Sequence, residues 1–324
     1  MNISLVKKSL FLLLLAGGFF FIGRMTSPDK ATAVPVRSKA NPYPLVSPLL
    51  AYETSESDFF GEYSSLKNTL EKYVSVHSKK STKISIYFRD LSKGQWIGIN
   101  EKEQYYPASL LKVLIQIAYY KQAEHEPAIL SKKLSYTNEL RKKLSVTDFA
   151  SSTVLTVGRS YSVAELIEKM IVDSDNGAKD LLYSAIDSQT LTEFYAVLGL
   201  SGEKEGQPYT ISPETYSYFF RVLYNATFLN AEYSNRALET LTHATFSDGL
   251  VAGIPKDVKI AHKFGERIER NSKGELIVEL HDCGIIYAPQ TPYLLCVMTH
   301  GDSLETNATI IKEISSLVYD EVVD

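Results

Sequence analysis

Residues 258–301 read VKIAHKFGERIERNSKGELIVELHDCGIIYAPQTPYLLCVMTHG. Three apolar-rich runs stand out, at 258–264, 275–288 and 292–301, separated by Asn-Ser-Lys-Gly and Ala-Pro-Gln-Thr-Pro. Runs rich in Val, Ile, Leu and Tyr between such turn residues read as strands. Links this short allow only antiparallel neighbours, because a parallel return needs a crossover of about a dozen residues or more. The stretch is therefore a three-stranded meander.

The rest of the fold builds outward from it. Upstream, KISIYFRDL (83–91), a Ser-Lys-Gly turn and QWIGINE (95–101) alternate as a β-hairpin, which completes a five-stranded sheet. Between hairpin and meander the chain is mostly helical, as in SVAELIEKMIV, NGAKDLLYSAI, TLTEFYAVLG and PETYSYFFRVLYNA. The segment DFFGEYSSLKNTLEKYVSVHS puts Phe59, Tyr63, Leu66, Leu70 and Val74 at helical spacing, and a closing helix runs from Leu304 to Val322. The expected fold is α+β: a five-stranded antiparallel sheet, the first and last helices on one face, and an all-helical lobe over residues 116–252. A site is expected in the cleft between the lobes.

Composition sets the class. The 324 residues are 44% hydrophobic and 22% charged, which excludes disordered, collagen-like and coiled-coil chains. The 34 basic and 38 acidic residues leave a net charge of −4, with no basic surplus for nucleic acid. Two cysteines, Cys283 and Cys296, make neither a disulfide framework nor a zinc cluster. The turn between their strands sets whether they face each other; the expectation is two buried thiols.

The N-terminus points to export. Lys7 and Lys8 precede an uncharged run from Ser9 to Gly23, closed by Arg24. As a helix the run reaches roughly 22 Å, short of a hydrocarbon core of about 30 Å. Ala31-Thr32-Ala33 offers a small-x-small cleavage pattern but lies far beyond the run. A retained anchor over residues 1–25 is preferred to a cleaved signal peptide, and either places the remainder outside the cytoplasm. Residues 26–56 read as a Pro/Ser-rich linker, since five of the 12 prolines fall between Pro28 and Pro48. Residues 57–324 form the folded domain, expected to be monomeric.

Three short motifs carry chemistry: Ser109-Leu110-Leu111-Lys112, Ser174-Asp175-Asn176 and Lys263-Phe264-Gly265. Alone, each fits a commonplace role: an N-cap serine with a solvated lysine, a helix cap, an edge-strand charge. Order and setting give them weight. Other Ser-x-x-Lys copies start at Ser4, Ser27, Ser64 and Ser201, but only Ser109 opens an apolar helix directly after the hairpin. Three residues apart on a helix, Ser109 and Lys112 share a face. A serine hydroxyl needs a base to attack, and a buried lysine can be neutral and serve. The Ser109 N–H, at a helix start, can stabilise an oxyanion. Ser174 can relay a proton to a leaving nitrogen, and Asn176 can bind a substrate amide.

With YPASLLKV, VDSDNGA, AHKFGE and HDCGIIYAP in this order, the chain from about Asp58 to Asp324 resembles the class A β-lactamase-like group of penicillin-recognising serine enzymes. The resemblance implies Ser109 as acylated nucleophile, Lys112 as base or relay, Ser174 as proton shuttle and Lys263 as its positive partner. It implies Asn176 as an amide contact, Gly265 and Glu266 at the substrate edge, and the backbone N–H groups of Ser109 and Glu266 as the oxyanion hole. A β-lactam or a peptidoglycan D-alanyl peptide is the implied substrate, with no metal or organic cofactor. The alternatives are a D,D-peptidase and a non-catalytic penicillin-binding envelope sensor. Two departures stand out. Phe264 occupies a Thr/Ser position that helps bind a substrate carboxylate. The loop over 201–210 is shorter than the group's, and its acids, Glu203 and Glu205, lack the pattern of the deacylating glutamate.

Overall fold

The computed structural model describes residues 44–46, 63–78, 82–144, 155–186, 209–270, 274 and 276–323. In chain order the elements are α1 (Ser64–His77), β1 (Lys83–Asp90), β2 (Trp96–Ile99), α2 (Lys112–Ala123), β3 (Lys133–Ser135), α3 (Asn138–Leu144), β4 (Ser160–Ser162), α4 (Val163–Val172), α5 (Asn176–Ala185), α6 (Pro213–Tyr224), α7 (Ala231–Leu241), β5 (Ile260–Arg270), β6 (Leu276–Ile286), β7 (Tyr293–Gly301) and α8 (Leu304–Val323). The hairpin and the meander join through β1 and β7, giving an antiparallel sheet in the order β2-β1-β7-β6-β5, as the sequence leads one to expect.

Register sorts the side chains between two faces. Ala261, Lys263, Gly265 and Arg267 of β5 lie opposite Ile285, Cys283, His281 and Glu279 of β6, and these oppose Leu294, Cys296, Met298 and His300 of β7. Opposed residues share a face. This face meets the helical lobe: Cys283, Ile285, Leu294 and Met298 join a core with Val113 and Ile117 of α2, Met170 of α4 and Phe220 of α6. The other face carries Ile84, Ile86, Phe88, Leu280, Leu295 and Val297, covered by Leu66, Leu70 and Val74 of α1 and by Ile311, Ile314 and Val318 of α8. The four-residue spacing in α1 explains its fit, since it keeps these side chains on one stripe. Each fully buried Leu contributes about 1.5–3 kcal/mol relative to exposure.

Three features go beyond or against the sequence reading. The helical lobe also contains a two-stranded ribbon, β3 paired with β4, too short for periodicity to reveal. Leu45 and Val46, inside the Pro-rich segment, are buried in the domain core, where Leu45 N–H donates to Asn235 Oδ1 (3.0 Å) and Leu45 O accepts from Tyr287 (2.9 Å). The expectation of two thiols is overturned: Cys283 and Cys296 form a disulfide, with Cα atoms 3.9 Å apart. The turn pairs Ile286 with Tyr293, and three steps back along both strands bring the cysteines face to face.

Among the described residues no helix is long and apolar enough to cross a membrane. The apolar run at 9–23, the helix TLTEFYAVLG and the acids Glu203 and Glu205 lie outside the described residues.

Candidate active site

The segment leading to Ser109 is pinned from several sides. Tyr105 exchanges two backbone hydrogen bonds with Ile211 (3.0 and 2.9 Å), and its hydroxyl bonds Ser85 Oγ (2.9 Å). Tyr106 O accepts from His281 Nε2 at 3.1 Å, and Leu110 O accepts from the Tyr216 hydroxyl at 3.0 Å. A carbonyl can only accept, so His281 carries its proton on Nε2. Burial holds the His281 pKa down at about 4, so the ring is a neutral donor near pH 7. These ties hold Ala108 at φ +47°, in the left-handed region. A non-glycine residue there costs of order 1–3 kcal/mol and persists only where its surroundings fix it. A 3₁₀ turn over Ala108–Leu111 follows, and Lys112 begins α2. Ser109 is half-buried, and Lys112 is 2% exposed.

The Ser174-Asp175-Asn176 triplet divides its labour. Asp175 is the N-cap of α5, its carboxylate accepting from Ala178 N–H at 2.7 Å. The commonplace reading as a helix cap is thus right for the middle residue, and such a cap is worth about 1 kcal/mol. Ser174 sits at φ +53°, a second left-handed position in the same site. That turn brings the oxygens of Ser174 and Asn176 to Lys112. Lys112 Nζ donates to Ser174 O (2.5 Å), Ser174 Oγ (3.1 Å) and Asn176 Oδ1 (2.7 Å).

Lys263 arrives from β5 on the other side. Its Nζ donates to Ser174 Oγ and to Phe264 O, both at 3.0 Å. The side chain is fully buried. Burial, reinforced by the charge of Lys112, drives its pKa well below the usual lysine value, against the pull of Asp282 and Glu266. A buried charge without full compensation gives up its proton rather than bear the desolvation. Two lysines thus converge on one hydroxyl, which can hand a proton between them.

Gly265 lets β5 close on the nucleophile segment. A Cβ there would stand 3.0 Å from Pro107 O, 3.1 Å from Leu110 Cγ and 3.2 Å from Ser109 N. Any larger residue would push the β5 backbone and the Ser109 turn apart by a few tenths of an ångström, and an oxyanion is stabilised by closely placed backbone donors. Glu266, next on the strand, is exposed.

The structure therefore brings Ser109, Lys112, Ser174, Asn176, Lys263 and Gly265 into one place, with Glu266 at its rim. Sequence reasoning missed the residues that hold this arrangement: Ser85, Tyr105, Tyr216 and His281. The available signal was a polar residue in a strand whose neighbours are buried, as His281 is in β6. It also missed Phe246, whose ring stacks on Phe264 at 4.2 Å.

Comparison with known proteins gives the family and the fold. A family model described as the beta-lactamase enzyme family matches residues 65–322. Among solved structures, PBP-A superposes with a TM-score of 0.67 at 20% identity, over 80% of this chain and 96% of that one. TLA-3 extended-spectrum beta-lactamase gives 0.69 at 23%, over 82% and 100%. A beta-lactamase from Xanthomonas campestris pv. campestris gives 0.66 at 23%, over 79% and 98%. At these identities the likeness shows the fold. No curated protein matches the sequence.

Proposed function

The chain belongs to the beta-lactamase enzyme family, and on that premise we propose that it is an exported serine hydrolase working through an acyl-enzyme on Ser109. The substrate class is a β-lactam or a D-alanyl peptide amide. One observation carries the reading: Lys112 and Lys263 meet at Ser174 Oγ beside the turn that presents Ser109.

In this mechanism Lys112, on the same helical face, takes the Ser109 proton as the hydroxyl attacks the carbonyl. The tetrahedral oxyanion forms between the Ser109 and Glu266 backbone N–H groups. Ser174 passes a proton to the leaving nitrogen and is recharged along its bonds to the two lysines. Asn176 contacts the substrate amide, and Gly265 keeps the strand close enough for the substrate to lie along it. A PBP-A variant is known as an acyl-enzyme complex with penicillin G, which supports the same chemistry here. The disulfide supports export, since such bonds persist in oxidising compartments. Residues 1–25 are proposed to hold the enzyme at the membrane, or to be cleaved in secretion.

The test is intact-protein mass spectrometry after exposure to benzylpenicillin. A mass increase equal to one penicillin, absent in Ser109→Ala, is expected. The time course then separates the activities. A long-lived adduct identifies a peptidase-like or sensor protein; rapid return to free enzyme, lost in Glu203→Gln or Glu205→Gln, identifies an efficient β-lactamase. No adduct in the native chain removes benzylpenicillin as an acyl donor.

A further inference from the structure

Resting on the acyl-transfer reading above, we infer that this site takes an uncharged acyl donor, one with no free carboxylate beside the scissile bond, and that Phe264 sets this preference.

The charges around Ser109 carry the argument. Lys112 is engaged by Ser174 and Asn176. Arg267 pairs with Glu269 and with Glu279 (3.4 Å), and its guanidinium lies over the Tyr106 ring at 4.4 Å. Lys263 is fully buried, donates to Ser174 Oγ and Phe264 O, and has the Phe264 ring over its Nζ at 4.1 Å. The ring is held there by stacking on Phe246, with centroids 4.2 Å apart and planes at 17°. Both rings are half-buried, so an aromatic surface borders the lysine.

A carboxylate arriving beside Lys263 would have to displace that ring or break one of the two hydrogen bonds. It would also meet the exposed Glu266, which with Asp282 already acts on Lys263. A second carboxylate brought beside Glu266 is repelled, by an amount that water reduces on the exposed side. A neutral amide or ester suffers none of this and can rest its apolar part on the Phe264–Phe246 pair.

The test uses Ser109→Ala protein, which keeps the site but cannot be acylated, and matched ligands in titration calorimetry: benzylpenicillin against its methyl ester, and N-acetyl-D-alanyl-D-alanine against its C-terminal amide. The neutral member of each pair is expected to bind about 10-fold or more tightly, with the gap closing when Phe264→Thr is added. Phe246→Ala, which removes only the stacking partner, should narrow the gap and guards against misfolding of the threonine variant. Equal or tighter binding of the charged members, a gap that survives both variants, or no binding of any ligand at millimolar concentration overturns the inference. Labelling of the unmutated chain by a small fluorophosphonate, read as modification of Ser109, tests the acyl-transfer reading separately. Labelling with charged ligands preferred sinks the inference alone, whereas no labelling sinks the reading on which it rests.

Discussion

Lys112 and Lys263 place their Nζ atoms 3.1 and 3.0 Å from a single oxygen, Ser174 Oγ. Two full positive charges at one hydroxyl repel, and both side chains are buried. The arrangement holds together if one lysine gives up its proton: burial drives Lys263 well below the usual lysine value, and Ser174 Oγ, bonded to both, lets that vacancy pass to Lys112, which then serves as the base. The pair therefore behaves as a proton store with a serine between its halves.

The first prediction follows from that store. Lys112→Arg should slow acylation of Ser109 by about 10²-fold or more, as loss of a general base does. Arginine keeps the charge but holds its proton at any working pH. Lys112→Ala should do the same. Adduct formation by rapid-quench mass spectrometry is the measurement, and near-native acylation in the arginine variant would remove Lys112 from the proton path.

Gly265→Ala should also lower acylation, on the order of 10²-fold, the scale of losing one oxyanion donor. The added methyl group meets Pro107 O and Ser109 N at 3.0 and 3.2 Å, so strand and turn must part. The protein should still fold, and its circular dichroism should match the parent. Unchanged acylation would show that the turn shifts without losing the oxyanion site.

His281 predicts a pH dependence of stability. Its pKa is about 4 in the fold, lowered by burial from the ordinary 6.5. Between those values the unfolded chain binds a proton that the folded chain does not, so stability rises with pH across that window. Falling from pH 6.5 to 4 should remove up to about 3 kcal/mol. His281→Gln, which keeps a donor for Tyr106 O but does not titrate, should flatten that part of the curve. Chemical denaturation at several pH values checks it; identical slopes in both proteins would refute the assignment.

The disulfide closes a short loop within β6 and β7. Cys283→Ala with Cys296→Ala should cost about 3 kcal/mol, the chain-entropy value for a loop of this length. The native protein, unfolded in denaturant without reductant, should show no thiol to Ellman's reagent. Two reactive thiols under those conditions would contradict the bond.

The sequence determined the order of strands and helices, because alternation and four-residue spacing are local properties that the chain carries with it. It determined the meander, because short links leave no other pairing. It also singled out Ser109, Lys112, Ser174 and Lys263, because their motifs occur in a set order: at a helix start after the hairpin, after a helix of the insert, and on the first strand beyond it. What it could not determine depended on registers and crossings. The Cys283–Cys296 bond required knowing which residue faces Tyr293 across the turn. The convergence of two lysines on Ser174 required β5, α2 and the start of α5 to meet, the lysines lying 62 and 89 residues from Ser174 in the chain. His281 and Tyr216 hold the nucleophile turn through single hydrogen bonds to its carbonyls, contacts that leave no periodic trace. The Phe264 ring lies over Lys263 because Phe246 backs it from the end of the helical lobe. Side-chain periodicity reports which face a residue presents to the core. Which groups meet there is decided by packing between distant segments, and that information exists only once the chain has folded.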